Sequence, residues 1–143
     1  GRPGRTDWLR GQRAYPGGLV AVWAPALTRE AIWEALWNRR CYATTGRRIY
    51  LEVQVDGEPM GSILQGRAFS GSHVIEVRVL GEEPLLAVEL LRGREPIYVE
   101  SSYSPSLQFT YRDQPPPGAA NYYYVRVTQT DGEMAWSSPV WVV

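Results

Sequence analysis

Ile49-Tyr50-Leu51-Glu52-Val53-Gln54-Val55-Asp56-Gly57 decides how the rest of the chain is read. Ile49, Leu51, Val53 and Val55 recur at every second position with Tyr50, Glu52 and Gln54 between them, the period of a strand with one buried face. Asp56-Gly57 closes the run with a hairpin signal. Downstream the period stays at two. Ile75, Val77 and Val79 alternate with Glu76 and Arg78; Leu86, Val88 and Leu90 alternate with Ala87, Glu89 and Leu91; Gly93 then turns the chain into Ile97-Tyr98-Val99. Leu107, Phe109 and Tyr111 give a fifth strand, ended by Pro115-Pro116-Pro117-Gly118, which cannot continue a sheet. Tyr123, Val125 and Val127 alternate with Tyr122, Tyr124 and Arg126, and Asp131-Gly132 turns that strand into a last one from Met134 to Val143. Seven short strands with turn signals about every 8–15 residues predict, over residues 47–143, a mainly β fold: an antiparallel immunoglobulin- or fibronectin-like sandwich. The Tyr-rich start of the penultimate strand is where such sandwiches place a tyrosine corner.

Upstream the pattern differs. Residues 1–18 are rich in Gly, Arg and Pro without a period and read as a loop or arm. Leu19-Val20-Ala21-Val22-Trp23-Ala24 is a continuous apolar run, as in a parallel-sheet strand covered on both faces. Thr28 suits the N-cap of a helix running to about Arg40, with Glu30 in its first turn and Arg39-Arg40 at the negative end of its dipole. Ile32, Ala35 and Leu36, flanked by Trp33 and Trp37, make a wide apolar face that requires a partner. Residues 19–46 therefore form a strand-helix unit too small to offset the backbone entropy of ordering it alone.

The composition excludes several functions. The 143 residues carry 15 Lys+Arg against 15 Asp+Glu, and every one of those cations is arginine. Such a balance lacks the basic excess expected of a nucleic-acid binder or a polybasic membrane patch. No run approaches the roughly 18 apolar residues of a membrane-spanning helix, so a soluble chain is expected. One Cys and one His rule out an intrachain disulfide and a multi-histidine metal site within these residues, and leave the compartment, cytoplasmic or exported, open. The chain opens without Met, which predicts that it continues a longer protein.

The block Gly17-Gly18-Leu19-Val20-Ala21-Val22-Trp23-Ala24, Leu27-Thr28-Arg29-Glu30-Ala31-Ile32-Trp33-Glu34-Ala35-Leu36 and Arg40-Cys41-Tyr42-Ala43-Thr44-Thr45-Gly46-Arg47-Arg48-Ile49 resembles the end of the barrel in a family of uncharacterised bacterial proteins. These are similar to metal-dependent phosphoesterases of the polymerase-and-histidinol-phosphatase (PHP) type, within the amidohydrolase-like barrels. Tyr123-Tyr124-Val125-Arg126-Val127 and Ala135-Trp136-Ser137-Ser138-Pro139-Val140-Trp141-Val142 resemble the C-terminus of the same family. The resemblance implies that residues 19–46 are the last strand and helix of an α/β barrel whose N-terminal part is missing. It also implies that the divalent metal and its ligands lie in that missing barrel, with no metal ligand and no cofactor here. Arg2 and Arg5 would then enter the barrel mouth, where a guanidinium can hold a phosphate or carboxylate.

Within the chain no residue carries catalysis convincingly. Cys41 falls at the end of the expected helix, where the dipole disfavours a thiolate, and reads as structural. His73 opens a strand in phase with Ile75 and Val77 and reads as the edge of the core. Glu58, Glu82 and Glu83 are turn carboxylates without a visible partner, and Ser137-Ser138 lacks the nucleophile-elbow glycines. Tyr122, Tyr124 and Arg126 share one strand face that suits either packing or a binding platform. The reading is a non-catalytic accessory region of a PHP-like hydrolase, buttressing the barrel and shaping its mouth. The alternative is a sandwich module that binds carbohydrate or a protein partner through the aromatic face. Expected partners are the missing barrel and, through residues 19–40, a second copy of the chain.

Overall fold

A computed structural model describes residues 18–67 and 71–143. Two β-sheets pack face to face, preceded by one helix, with most strand pairs antiparallel. The smaller sheet has four strands: β3 (Tyr50–Val55) lies between β4 (Glu58–Pro59) and β6 (His73–Leu80), and β6 also pairs with β9 (Ser106–Asp113). The larger is centred on β10 (Tyr122–Gln129). On one side β10 pairs with β7 (Leu85–Arg92), which carries β8 (Glu95–Glu100) at the edge. On the other it pairs first with β12 (Val140–Val142) and then with β11 (Met134–Ser137), the two halves of one strand broken at Ser138-Pro139. β12 in turn pairs in parallel with β5 (Ile63–Leu64).

The expected alternation fills the core. Leu51, Val53 and Val55 on β3, and Ile75, Val77 and Val79 on β6, are buried against Val88 and Leu90 of β7 and Tyr123, Val125 and Val127 of β10. Each such side chain contributes roughly 1.5–3 kcal/mol relative to exposure. The strand count exceeds seven because β2 (Cys41–Thr44), β4 and β5 are short additions and the last strand is split. β7 departs from its expected phase: Leu86 is exposed and Leu85 buried, and Leu91 is buried as well as Leu90. The irregularity between Thr128 and Gln129 sets Leu85 opposite Gln129 and Ala87 opposite Thr128, so the inward positions slip by one at that end of β7.

The N-terminal unit departs further. β1 (Leu19–Val22) does not sit inside a parallel sheet; it pairs antiparallel with β2 (Cys41–Thr44), and β2 pairs with β11. Among the described residues β1 has β2 as its only neighbour and forms an open edge of the larger sheet. The reason lies in the connecting helix, α1 (Arg29–Trp37), which stops three residues before the expected Arg40. Asn38 caps it, its side chain and its N–H both donating to the Glu34 carbonyl at 3.0 Å, and Arg39 takes a left-handed φ of 58°. The chain therefore reverses, and Cys41, expected at the helix end, begins a strand. The start of α1 is as expected: the Thr28 hydroxyl accepts from the Ala31 N–H at 3.2 Å.

Two anchors tie this unit to the sandwich. The Trp23 indole N–H donates to the Leu51 carbonyl at 3.0 Å, and its ring meets Tyr50 edge-on at 4.9 Å. Gly61, at φ 88°, receives Arg39: the guanidinium Nε donates to the Gly61 carbonyl at 2.9 Å, and a Cβ at Gly61 would collide with the Arg39 carbonyl.

Candidate functional site

Three clusters account for the residues that carry chemistry. Tyr122, Tyr124 and Arg126 lie on one face of β10. The two tyrosine rings stack at 6.4 Å and Trp141 tilts against Tyr122 at 4.7 Å, making a half-buried aromatic strip. Arg126 is committed within the sheet, its Nε and Nη2 donating to both oxygens of Glu89 at 2.9 and 2.8 Å. That bidentate pair leaves the strip aromatic rather than cationic.

A second cluster is the face of α1 and β1. Leu27 is 94% exposed, Trp33 64%, Trp37 71% and Val20 67%. Of the helix only Ala35 is buried. Trp33 and Trp37, one turn apart, stack on each other at 6.1 Å, the contact that i and i+4 positions allow. Large apolar side chains of the strand-helix unit are thus exposed, and among the described residues one edge of β1 has no partner, features stable domains normally cover.

The third cluster is polar and closed. Asp56 and Gly57 form the tight turn after β3, Asp56 itself at φ 51°, and this turn aims the carboxylate at the start of β6. One Asp56 oxygen accepts from the Val74 N–H at 2.8 Å, and the other lies 2.8 Å from His73 Nδ1 and 3.7 Å from Arg67. Burial raises the Asp56 pKa, but the hydrogen bonds from His73 and Val74 outweigh it, so the carboxyl ionises below its ordinary range. At the far end of β9, Asp113 accepts from Arg92 at 2.9 and 3.0 Å and from the Tyr123 hydroxyl at 2.6 Å. Burial again opposes ionisation, and Arg92 and Tyr123 again more than reverse it. Burial and the Asp113 carboxylate together push the Tyr123 phenol well above its ordinary range. Tyr123 occupies the tyrosine-corner position but bonds a carboxylate, not the backbone.

The remaining candidates are structural. The Cys41 thiol lies 3.5 Å from the Ser138 hydroxyl, which donates to the Cys41 carbonyl at 2.6 Å and so ties β2 to the break in the last strand. Ser137 accepts from the Val125 N–H at 2.9 Å. Glu82 accepts from the Arg48 N–H at 2.6 Å, while the Glu82 and Glu83 N–H groups both point at the buried Gln129 side chain. Glu58 is exposed in a polar cleft with Arg39 and Arg40. Among the described residues no group of three His, Cys, Asp or Glu side chains could hold a metal ion. Arg2 and Arg5 lie outside the described residues. Asp56, Asp113 and Arg92 were not singled out by sequence reasoning; the Asp-Gly turn signal marks Asp56 only as a turn, and nothing in the sequence pairs Asp113 with Arg92 across 21 positions.

The fold and these clusters define a β-sandwich that pairs its buried charges and carries a strand-helix face left uncovered by the described residues. The family described as a protein of unknown function (DUF3604) matches residues 3–66, a stretch that contains that face. The chain is also similar to uncharacterised proteins of Chlamydia pneumoniae, 39% identical, Chlamydia trachomatis serovar D, 35%, and Chlamydia muridarum, 34%, in each case over 92% of this chain. It spans 23% of the length of each of these relatives. No solved structure matches the chain.

Proposed function

We propose that the chain is a non-catalytic accessory sandwich, held against a larger catalytic domain through the β1 and α1 face. The observation that carries this is the stacked Trp33–Trp37 pair, exposed on a unit whose Leu27 is also exposed and whose β1 has β2 as its only neighbour among the described residues. Burying one such indole on a partner contributes on the order of 2 kcal/mol, and the β1 edge, unpaired among the described residues, offers a ladder of backbone hydrogen bonds. The similar Chlamydia proteins are long enough to include such a domain. Following the resemblance to PHP-type barrels, the larger domain would be a metal-dependent hydrolase of phosphate esters, with the metal supplying Lewis-acid chemistry. Its metal ligands lie outside this chain, and the sandwich buttresses the barrel and borders its mouth. In the longer protein, replacing Trp33 and Trp37 together by Ser is expected to split thermal unfolding into two transitions; a single unshifted transition overturns the docking. The 143-residue chain alone is expected to be inactive, and metal-dependent phosphatase activity in it would overturn the division of labour.

The strip of Tyr122, Tyr124 and Trp141 favours a second reading, a platform for sugar rings or a protein partner. Glycan-array binding lost on Tyr122→Ala and Tyr124→Ala supports it; absence of binding across a broad panel removes it.

A further inference from the structure

Beyond the docking face, a cavity of about 430 Å³ opens at the end of the sandwich between the 115–121 connection and the first turns of β6 and β10. Its volume falls within the range of small-molecule sites, roughly 300–1,000 Å³. Pro116, Pro117, Ala119 and Val142 give it apolar walls, and the His73 and Tyr123 rings lie at its base. No aspartate, glutamate or arginine is among the described residues that line it.

His73 is 2% exposed, and its ring is held from two directions. Nδ1 faces the Asp56 carboxylate at 2.8 Å, and Tyr123 sits edge-on with ring centroids 6.0 Å apart. Asp56 is itself fixed by the Val74 N–H and the turn backbone, so its oxygen accepts and Nδ1 donates. In the neutral imidazole this leaves the lone pair on Nε2. Nε2 has no hydrogen-bond partner among the described residues, yet no buried side-chain nitrogen or oxygen is left without one. Nε2 is therefore not sealed in the core. Since His73 lines the cavity, Nε2 is the acceptor its ring can offer there, in a lining whose walls are mostly proline and alanine. The Tyr123 hydroxyl, by contrast, is taken by Asp113, and Asn121 is the other polar side chain of the lining.

We propose that this cavity binds a small uncharged molecule with a ring-sized apolar body and one hydroxyl or N–H group, which donates to His73 Nε2. Anions are disfavoured because the base of the cavity presents an acceptor with a carboxylate behind it. Larger polar ligands are disfavoured because the proline and alanine side chains of the walls offer them no hydrogen bonds, leaving Asn121 as the one further polar side chain. The dyad acts here as a positioned acceptor: Asp56 fixes the tautomer and orientation of the imidazole, as a carboxylate behind a ligating histidine does elsewhere.

His73 is the only histidine of the chain, so its imidazole can be followed alone by nitrogen-15 NMR. The free 143-residue chain at pH 8 is expected to show the tautomer protonated at Nδ1. Phenol, titrated in, is expected to move the Nε2 resonance saturably. Anisole, which keeps the ring and lacks the donor, should bind about tenfold more weakly, the equivalent of one hydrogen bond. Benzoate should not compete. Ala119→Trp fills the cavity while keeping the probe, and is expected to abolish the phenol response without changing the tautomer. The Nε2-protonated tautomer, no saturable response to phenol, equal responses to phenol and anisole, or an unchanged response in Ala119→Trp would each overturn the proposal. His73→Phe, provided it folds, should lose phenol binding in ligand-observed spectra.

Discussion

The β6–β9–β10 end of the sandwich and the β1–α1 unit invert each other's chemistry. At the first, charges are inside: Asp113 and Arg92 have side chains 6% and 10% exposed, and each finds its partners within the same chain. At the second, tryptophans are outside, and the stacked pair finds only itself. Burying ions demands partners of fixed geometry, and the Asp113–Arg92 pair has them within the chain. An exposed apolar surface demands only area, which the second region lacks within the described residues. The contrast separates what the sandwich needs for its own stability from what it presents to something else.

The largest effect that tests this division is Asp113→Ala. It leaves the Arg92 guanidinium with only the exposed Glu95, 3.7 Å away, and removes the acceptor of Tyr123, so the cost is expected to be about 3–5 kcal/mol by urea denaturation. A double change of Asp113→Leu with Arg92→Met should recover much of that, since the penalty belongs to the uncompensated charge. A small loss in the single variant would place Arg92 in water and erase the contrast.

Acid should act on the same region. Asp56 and Asp113 both ionise below their ordinary range in the folded chain. For a lowered carboxyl pKa, the stabilisation is fully present above the unfolded value, about 3.9, and is lost as pH falls through the folded value. The urea midpoint is therefore expected to be flat from pH 6 to about 5 and to drop below about 4. In Asp113→Asn the drop should be shallower, because one of the two linked protons is gone.

The sandwich itself was legible because alternation is local: Leu51, Val53 and Val55 declare their face without reference to any other strand. The closed polar cluster was not, since Arg92 and Asp113 meet through the register of β7 on β10 and β6 on β9. His73 was read correctly as core edge from its phase with Ile75. Its partner Asp56 was hidden in a turn signal, because Asp-Gly reads as a backbone device whatever its carboxylate does. β1 misled for a different reason. A continuous apolar run looks alike in a doubly covered strand and in an edge strand whose cover lies elsewhere, and only the early end of α1 at Asn38 separates the two.

Between the two regions lies their junction at Gly61. Gly61→Ala adds a Cβ against the Arg39 carbonyl at a φ of 88°, where L side chains are strained. The expected cost is about 1–3 kcal/mol, with hydrogen-exchange protection lost first in α1 and β2. Uniform loss across β6 and β10 would mean that the strand-helix unit is no separate element of stability.

The smallest effect is the most discriminating. In the 143-residue chain, Trp33→Ser and Trp37→Ser together should change stability by no more than about 0.5 kcal/mol. Both side chains are already mostly in water, and serine costs the helix only a few tenths of a kcal/mol per position. Near-neutrality in the short chain, with a clear loss in the longer protein, identifies the face as an interface and gives the size of its contribution. A concentration-dependent loss in the short chain means instead that a second copy covers the same surface. Sedimentation of the unsubstituted chain shows that at once, since the open β1 edge would then pair with its own symmetry mate.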